Sequence, residues 1–103
     1  MRSLEYSEVD LVNGTSFHGV TIKTSINKLT EVLGEPVSQD NNGTDKVNVE
    51  WDVITEDKVV GTIYDWKEYR KLKENEEIEF HLGSKNPIDS VYGKDELLKL
   101  LNK

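Results

Sequence analysis

The sequence predicts an α+β domain in which an antiparallel sheet is covered on one face by two helices, in the order β-α-β-β-β-α. Residues 47–53 alternate apolar and polar side chains, which is typical of a strand with one buried face. Apolar residues recur at helical spacing between Ile26 and Leu33, and again from Pro87 onwards. No linker interrupts the chain, so we expect residues 1–103 to form a single domain.

The N-terminal half contains one strand and one helix. Residues 1–13 have only a weak pattern and are expected to be loosely ordered or to form a short extra strand, ended by an Asn-Gly turn. Residues 15–23 have a β-like composition in which Gly19 interrupts the alternation and marks a bulge. The following helix begins after the cap Ser25 and ends at Gly34.

The rest of the chain adds three more strands. A polar loop, 37–45, precedes the strand at 47–53, and a turn at 55–58 leads into a β-branched and aromatic strand, 59–66. A charged loop then joins it to an alternating strand at 78–82.

The last helix begins at an Asn cap followed by proline, Asn86-Pro87. Gly93 lies inside it at a cost of about 1 kcal/mol relative to alanine.

Composition excludes several classes of function. Thirteen Lys and Arg against twenty Asp and Glu give a net charge of −7, which disfavours duplex nucleic-acid binding. The chain has no cysteine, so disulfides and thiolate catalysis are excluded. We expect no membrane span and no signal peptide, and therefore a cytoplasmic protein. A thin core in so short a chain favours a homo-oligomer.

Catalytic motifs are missing from the sequence. It has no Gly-rich phosphate loop, no His-Glu-x-x-His and no Gly-x-Ser-x-Gly, and we expect neither a cofactor nor a metal. His18 and His81 are the only histidines, and a nucleotide hydrolase that uses one of them is a minor alternative.

The segment 64–73 combines three aromatic residues with four cations in an otherwise acidic chain. Aromatic rings stack on nucleobases and cations meet phosphates, so this composition suits a small nucleotide. The strand-to-helix segment 81–87 offers backbone N–H groups to an anion. The alternative is a strand end with solvated charges and an ordinary turn. The candidate ligand-binding residues are Asp65, Trp66, Lys67, Tyr69, His81, Ser84 and Lys85.

Four carboxylates of the first hairpin suggest a second function. Glu50, Asp52, Glu56 and Asp57 are expected on its outward side, where they would form a solvated face or the surface of a DNA mimic.

Several short segments of the sequence are distinctive: Gly-Thr-Ser-Phe-His-Gly at 14–19, Asp-Lys-Val at 45–47 with Glu50-Trp51, Thr-Ile-Tyr-Asp-Trp-Lys at 62–67 and Glu-Phe-His-Leu-Gly at 79–83. Together they resemble a family of small tailed-bacteriophage proteins. The resemblance implies an accessory phage protein in the host cytoplasm. Such proteins often counter host immunity by sequestering a nucleotide signal or by masking a defence protein.

We therefore expect a non-catalytic protein that sequesters a cyclic oligonucleotide or an ADP-ribose derivative. Trp66 and Tyr69 would stack on a base, and Lys67 and Lys85 would meet phosphate. Asp65 and His81 would hydrogen-bond the ribose or base. The alternative is an acidic inhibitor that binds a host defence protein directly. Whether Trp66 and His81 share one site depends on the strand register, which the sequence leaves open.

Overall fold

The computed structural model describes residues Met1–Lys103 and contains a five-stranded sheet whose neighbouring strands are all antiparallel. The strand order across the sheet is β1-β3-β4-β5-β2. In chain order the elements are β1 (Arg2–Ser3), a 3₁₀ helix (Tyr6–Val12), β2 (Ser16–Thr24), α1 (Ile26–Leu33), β3 (Glu50–Ile54), β4 (Val60–Tyr64), β5 (Ile78–Ser84) and α2 (Pro87–Leu101). The predicted α+β class is confirmed, and β1 and the 3₁₀ helix are added to the predicted order.

The two α-helices pack on one face of the sheet and enclose the main core. Trp51 and Phe80 lie at its centre, fully buried, with their rings edge to face at 6.1 Å. The indole N–H of Trp51 donates to the carbonyl of Gly34 at 2.9 Å, which ties the end of α1 to the sheet. The other buried apolar side chains of this core are Ile22, Ile26, Leu29, Leu33, Val49, Val53, Ile63, Leu72, Ile78, Leu82 and Leu97.

Both α-helices begin where their caps predict. The side chain of Ser25 accepts the N–H of Lys28 at 3.3 Å, and α1 ends at Gly34, whose φ of 82° favours glycine. The Asn86 side chain accepts the N–H of Asp89 at 2.8 Å, and α2 continues through Gly93 as one helix. No helix combines the length and the apolar character that a membrane crossing requires.

The predicted bulge in β2 is confirmed. The register with β5 shifts between Phe17, which pairs with Gly83, and Thr21, which pairs with His81. Gly19 lies within the shift and has a φ of 84°. Phe17 lies on the face of the sheet that the α-helices leave open, and the extra residues of β2 change the level along β5 at which it pairs.

The predicted strand at 47–53 begins later than its alternating pattern indicates, and the reason is Asp65. Its Oδ1 accepts the backbone N–H groups of Asn48 and Val49 at 2.7 and 3.0 Å, so these groups do not join the sheet ladder. Its Oδ2 accepts the Asn48 side-chain amide at 2.9 Å. For the same reason β4 ends at Tyr64 rather than at residue 66.

Candidate ligand-binding face

The strand register brings three side chains into one row on the face of the sheet opposite α1 and α2. Glu50 in β3 pairs with Tyr64 in β4, and Tyr64 pairs with His81 in β5. Trp51 and Ile63, their neighbours along the strands, point into the core. Because successive side chains of a strand alternate in direction, the row lies on the outer face.

Four rings form a cluster there, which we call the aromatic face: Phe17, Tyr64, Trp66 and His81. The His81 ring is stacked on Phe17, with centroids 3.9 Å apart and planes at 16°. It also lies 6.1 Å from Trp66 at 28°, and Tyr64 meets both Trp66 and His81 edge to face at 6.2 and 5.6 Å. Trp66 and His81 therefore lie in one cluster of rings, which the sequence left open because it did not determine the strand register.

The aromatic face is open to solvent. Phe17 is 42% and Trp66 is 40% exposed, whereas the other tryptophan, Trp51, is fully buried. The 3₁₀ helix covers only a neighbouring part of the outer face, where Val12 packs on Leu4, Ile54 and Val60. The aromatic face is thus an open surface with two exposed rings, and not an enclosed cavity.

The His81 imidazole is suited to stacking as a neutral ring. Partial burial lowers its pKa, and this effect outweighs the nearby Glu79 carboxylate, which raises it. At neutral pH the ring is therefore uncharged, and it stacks on Phe17 without the cost of covering a cation.

Lys67 places a cation beside the aromatic face. Its Nζ lies 5.5 Å from the centre of the Trp66 ring, in cation–π range. Its N–H donates to the carbonyl of Lys46 at 2.8 Å. Lys67 and Tyr69 both have a positive φ, 57° and 50°, which is uncommon for residues with a side chain. Tyr69 is 54% exposed in this loop.

A second loop supports the segment that carries Trp66 and Lys67. The Asn41 side chain pairs with the backbone of Leu72, accepting its N–H at 2.7 Å and donating to its carbonyl at 2.8 Å. A Cβ at Gly43 would lie 2.7 Å from the Cα of Arg70, so the two loops are in close contact. Together with the Asp65 hydrogen bonds, these contacts fix the position of the Trp66 loop.

Asp65 and Ser84 were predicted to contact a ligand, and the structure places both in structural roles. Asp65 is fully buried, with its oxygens engaged by Asn48 and Val49. Ser84 is 1% exposed, donates to the carbonyl of Asn86 at 2.6 Å and shares a hydrogen bond with Ser90. We therefore take both residues out of the candidate site.

Lys85 is exposed but lies at the wrong end of β5 to act with Lys67. Tyr64 pairs with His81 in antiparallel register, so Trp66 extends beside Glu79 while Lys85 lies in the opposite direction. Lys85 is six residues along the strand from Glu79, which corresponds to roughly 20 Å at about 3.3 Å per residue. The structure brings together Trp66, Lys67 and His81, with Tyr69 in the adjoining loop, and leaves Lys85 apart.

The acidic cluster predicted on the first hairpin is divided. Asp52 is only 6% exposed and Glu50 is half-buried, whereas Glu56 and Asp57 lie exposed in the turn. Burial and the neighbouring Asp52 raise the pKa of Glu50 to about 8. Burial, and secondarily Glu50, raises the pKa of Tyr64. Glu50 and Asp52 are thus part of the outer face, beside the aromatic face.

Sequence reasoning missed Phe17 and Tyr64 as members of the site. Both lie in the segments 14–19 and 62–67, on which the family resemblance rests. Only the bulge in β2 and the pairing of β4 with β5 bring them together. His18, the other candidate histidine, places its Nε2 3.1 Å from the carbonyl of Ser84. Comparisons with protein-family models, with curated proteins and with solved structures find no match for this chain.

Proposed function

We propose that this chain is a non-catalytic binding protein that captures a small nucleotide-type ligand on its aromatic face. One observation carries the proposal: His81 lies nearly parallel to both Phe17 and Trp66, and the latter two are 42% and 40% exposed. Exposed rings that are already aligned offer a base a stacking surface at little cost in side-chain ordering. Stacking of a base on an aromatic side chain contributes about 1–3 kcal/mol.

Lys67 gives the site a partner for phosphate. It lies beside Trp66, so a nucleotide whose base stacks on the indole can direct its phosphate to the ammonium group. The net charge of −7 opposes a long polyanion, which would meet many carboxylates, but a single nucleotide needs only this local cation. These charges support a small ligand over a nucleic-acid strand.

Withholding such a ligand from a host immune sensor is the biological role we propose. The support for it is the resemblance to tailed-phage proteins, whose accessory members often act this way in the bacterial cytoplasm. A cyclic oligonucleotide or an ADP-ribose derivative has the base, ribose and phosphate groups that the aromatic face and Lys67 can engage.

Calorimetric titration with a cyclic dinucleotide and with ADP-ribose tests the proposal. At least one is expected to bind with a Kd of about 1 μM or lower and to quench Trp66 fluorescence, while the buried Trp51 stays unchanged. Trp66→Ala should weaken binding roughly 10-fold or more. Tyr6→Ala is the matched control, because Tyr6 is 93% exposed outside the aromatic face and its removal should change nothing.

Recovery of the ligand distinguishes binding from hydrolysis. After incubation and denaturation of the protein, an unaltered ligand is expected. An altered product would replace the proposal with the hydrolase alternative, and binding by neither ligand would refute it for both classes.

Direct binding to a host protein remains the second candidate. The division of the acidic cluster weakens the idea of a DNA mimic, but α2 exposes Ile88 at 80% and Val91 at 53%. Such apolar side chains are typical of protein interfaces.

We propose that the expected homo-oligomer uses the surface around Ile88 and Val91. Light scattering on the wild type and on Ile88→Glu should give an oligomer and a monomer, respectively.

A further inference from the structure

Two carboxyl groups border the aromatic face on the side of β3. Glu50 and Asp52 alternate with the core residues Trp51 and Val53, so both point to the outer face. Glu50 is directly opposite Tyr64, and opposite residues in an antiparallel pair have Cβ atoms about 5 Å apart. The carboxyl of Glu50 therefore lies within reach of a ligand stacked on the rings.

Asp52 shows that this pair is more than a patch of surface charge. Asp52 is more than nine-tenths buried, and no amide, ammonium, guanidinium or alcohol group of the protein donates a hydrogen bond to its Oδ1. No lysine, arginine or histidine forms an ion pair with either carboxyl. A buried carboxylate oxygen without a donor is costly, so a proton is needed at this position.

Glu50 supplies that proton. Burial and the neighbouring Asp52 raise its pKa to about 8, which keeps it protonated at neutral pH. The Glu50 hydroxyl then donates to Asp52, and the pair carries one negative charge. Glu50 is only partly buried and its side chain accepts no hydrogen bond from the protein, so its carbonyl oxygen is free to accept one from a ligand.

We propose, resting on the proposed function, that Glu50 is the specificity-determining residue of the aromatic face and selects a base that carries an exocyclic amino group. The amino group donates to the free Glu50 oxygen while the base stacks on the exposed Trp66 ring. Asp52 acts as a positioning residue that holds Glu50 in place. The acidic pair also disfavours phosphate on this side, which orients the phosphate towards Lys67.

Two nucleotides that differ only in the amino group test the inference: adenosine 5′-monophosphate and purine riboside 5′-monophosphate. Both stack equally well, so both should quench Trp66 fluorescence. The adenosine nucleotide should bind the wild type about 10-fold more tightly, the effect of about 1.4 kcal/mol for one hydrogen bond to a partly buried group.

Variants assign the preference to Glu50. Glu50→Leu should reduce the ratio of the two affinities to about 1, and Glu50→Gln, which keeps a carbonyl acceptor, should retain a ratio above that of the leucine variant. Glu56→Leu changes an exposed carboxylate of the hairpin turn and should keep the full ratio.

The outcomes separate this inference from the proposed function. Equal binding of both nucleotides by the wild type, with Trp66 quenched, would overturn the role of Glu50 and leave the aromatic face as the binding site. A preference that survives in Glu50→Leu would overturn it as well. Failure of both nucleotides to bind or to quench Trp66 would overturn the inference together with this form of the proposed function.

Discussion

Trp66 and His81 lie with their ring centroids 6.1 Å apart and their planes at 28°, because Tyr64 and His81 are paired residues of adjacent strands. His81 is also stacked on Phe17, which lies in β2 on the other side of β5, and the centroids of these two rings are 3.9 Å apart. The aromatic face is therefore built from residues in or directly after β2, β4 and β5, and His81 is its central ring. Changes at His81 should affect the whole of the aromatic face.

His81→Ala should weaken binding of the proposed nucleotide ligand by about 10-fold and should also shift the emission of Trp66, because the ring that orders Phe17 and Trp66 is removed. His81→Phe retains a flat ring and should keep most of the affinity. Calorimetry and tryptophan fluorescence measure the two effects. If the alanine and phenylalanine variants lose affinity equally, a hydrogen bond from the imidazole, and not stacking, would be the contribution of this residue.

Asp65→Ala should destabilise the fold by about 2–4 kcal/mol, because the buried N–H groups of Asn48 and Val49 lose their acceptor. It should also loosen the Trp66 loop. Urea denaturation measures the loss, and Asp40→Ala, an exposed position, is the control. A loss no larger than that of the control would mean that water replaces the carboxylate without cost.

Two glycines should respond to alanine in opposite ways. A Cβ at Gly83 would lie 2.5 Å from the Thr62 hydroxyl between two paired strands, so Gly83→Ala should cost about 1–3 kcal/mol. A Cβ at Gly93 in α2 meets nothing within 4 Å, and Gly93→Ala should stabilise the protein by up to about 1 kcal/mol. Thermal unfolding of the two variants measures both. The same sign in both variants would contradict the packing described here.

Local sequence signals predicted the fold better than the site. Ser25 and Gly34 bracket α1 because caps act within one turn, and the alternation around Trp51 identified the buried face of β3. The aromatic face depends instead on register, which pairings between distant residues determine. No local pattern indicates that the bulge in β2 will direct Phe17 onto His81.

Asp65 illustrates why the identity of a residue is a weak guide to its role. Next to Trp66 and Lys67 in the sequence it has the chemistry of a ligand-binding group. Its acceptor oxygens are used by backbone and side-chain donors 16 and 17 residues earlier in the chain. Burial, which depends on the whole fold, converted a candidate binding residue into a support for its neighbours.

Glu50 should make the protein less stable as the pH rises from about 4.5 to about 8. Its pKa is about 8 in the folded state against an ordinary value of 4.5, so between these values the unfolded chain is ionised there while the folded chain keeps its proton. Stability therefore falls as pH rises towards 8 and levels off above it. Asp52 and Tyr64 are the titratable groups that face Glu50, and neither adds a positive charge that would reverse the sign.

Thermal unfolding from about pH 6.5 to about pH 9 measures this dependence, because the lowered pKa of His81 places its opposite effect at lower pH. The melting temperature of the wild type should fall up to about pH 8 and then level off. That of Glu50→Gln should change less, since a neutral amide does not titrate, and it should exceed the wild-type value at the upper end. Parallel curves for the two proteins would show that Glu50 is ionised in the folded state, and the proton that the Glu50–Asp52 pair requires would then be absent.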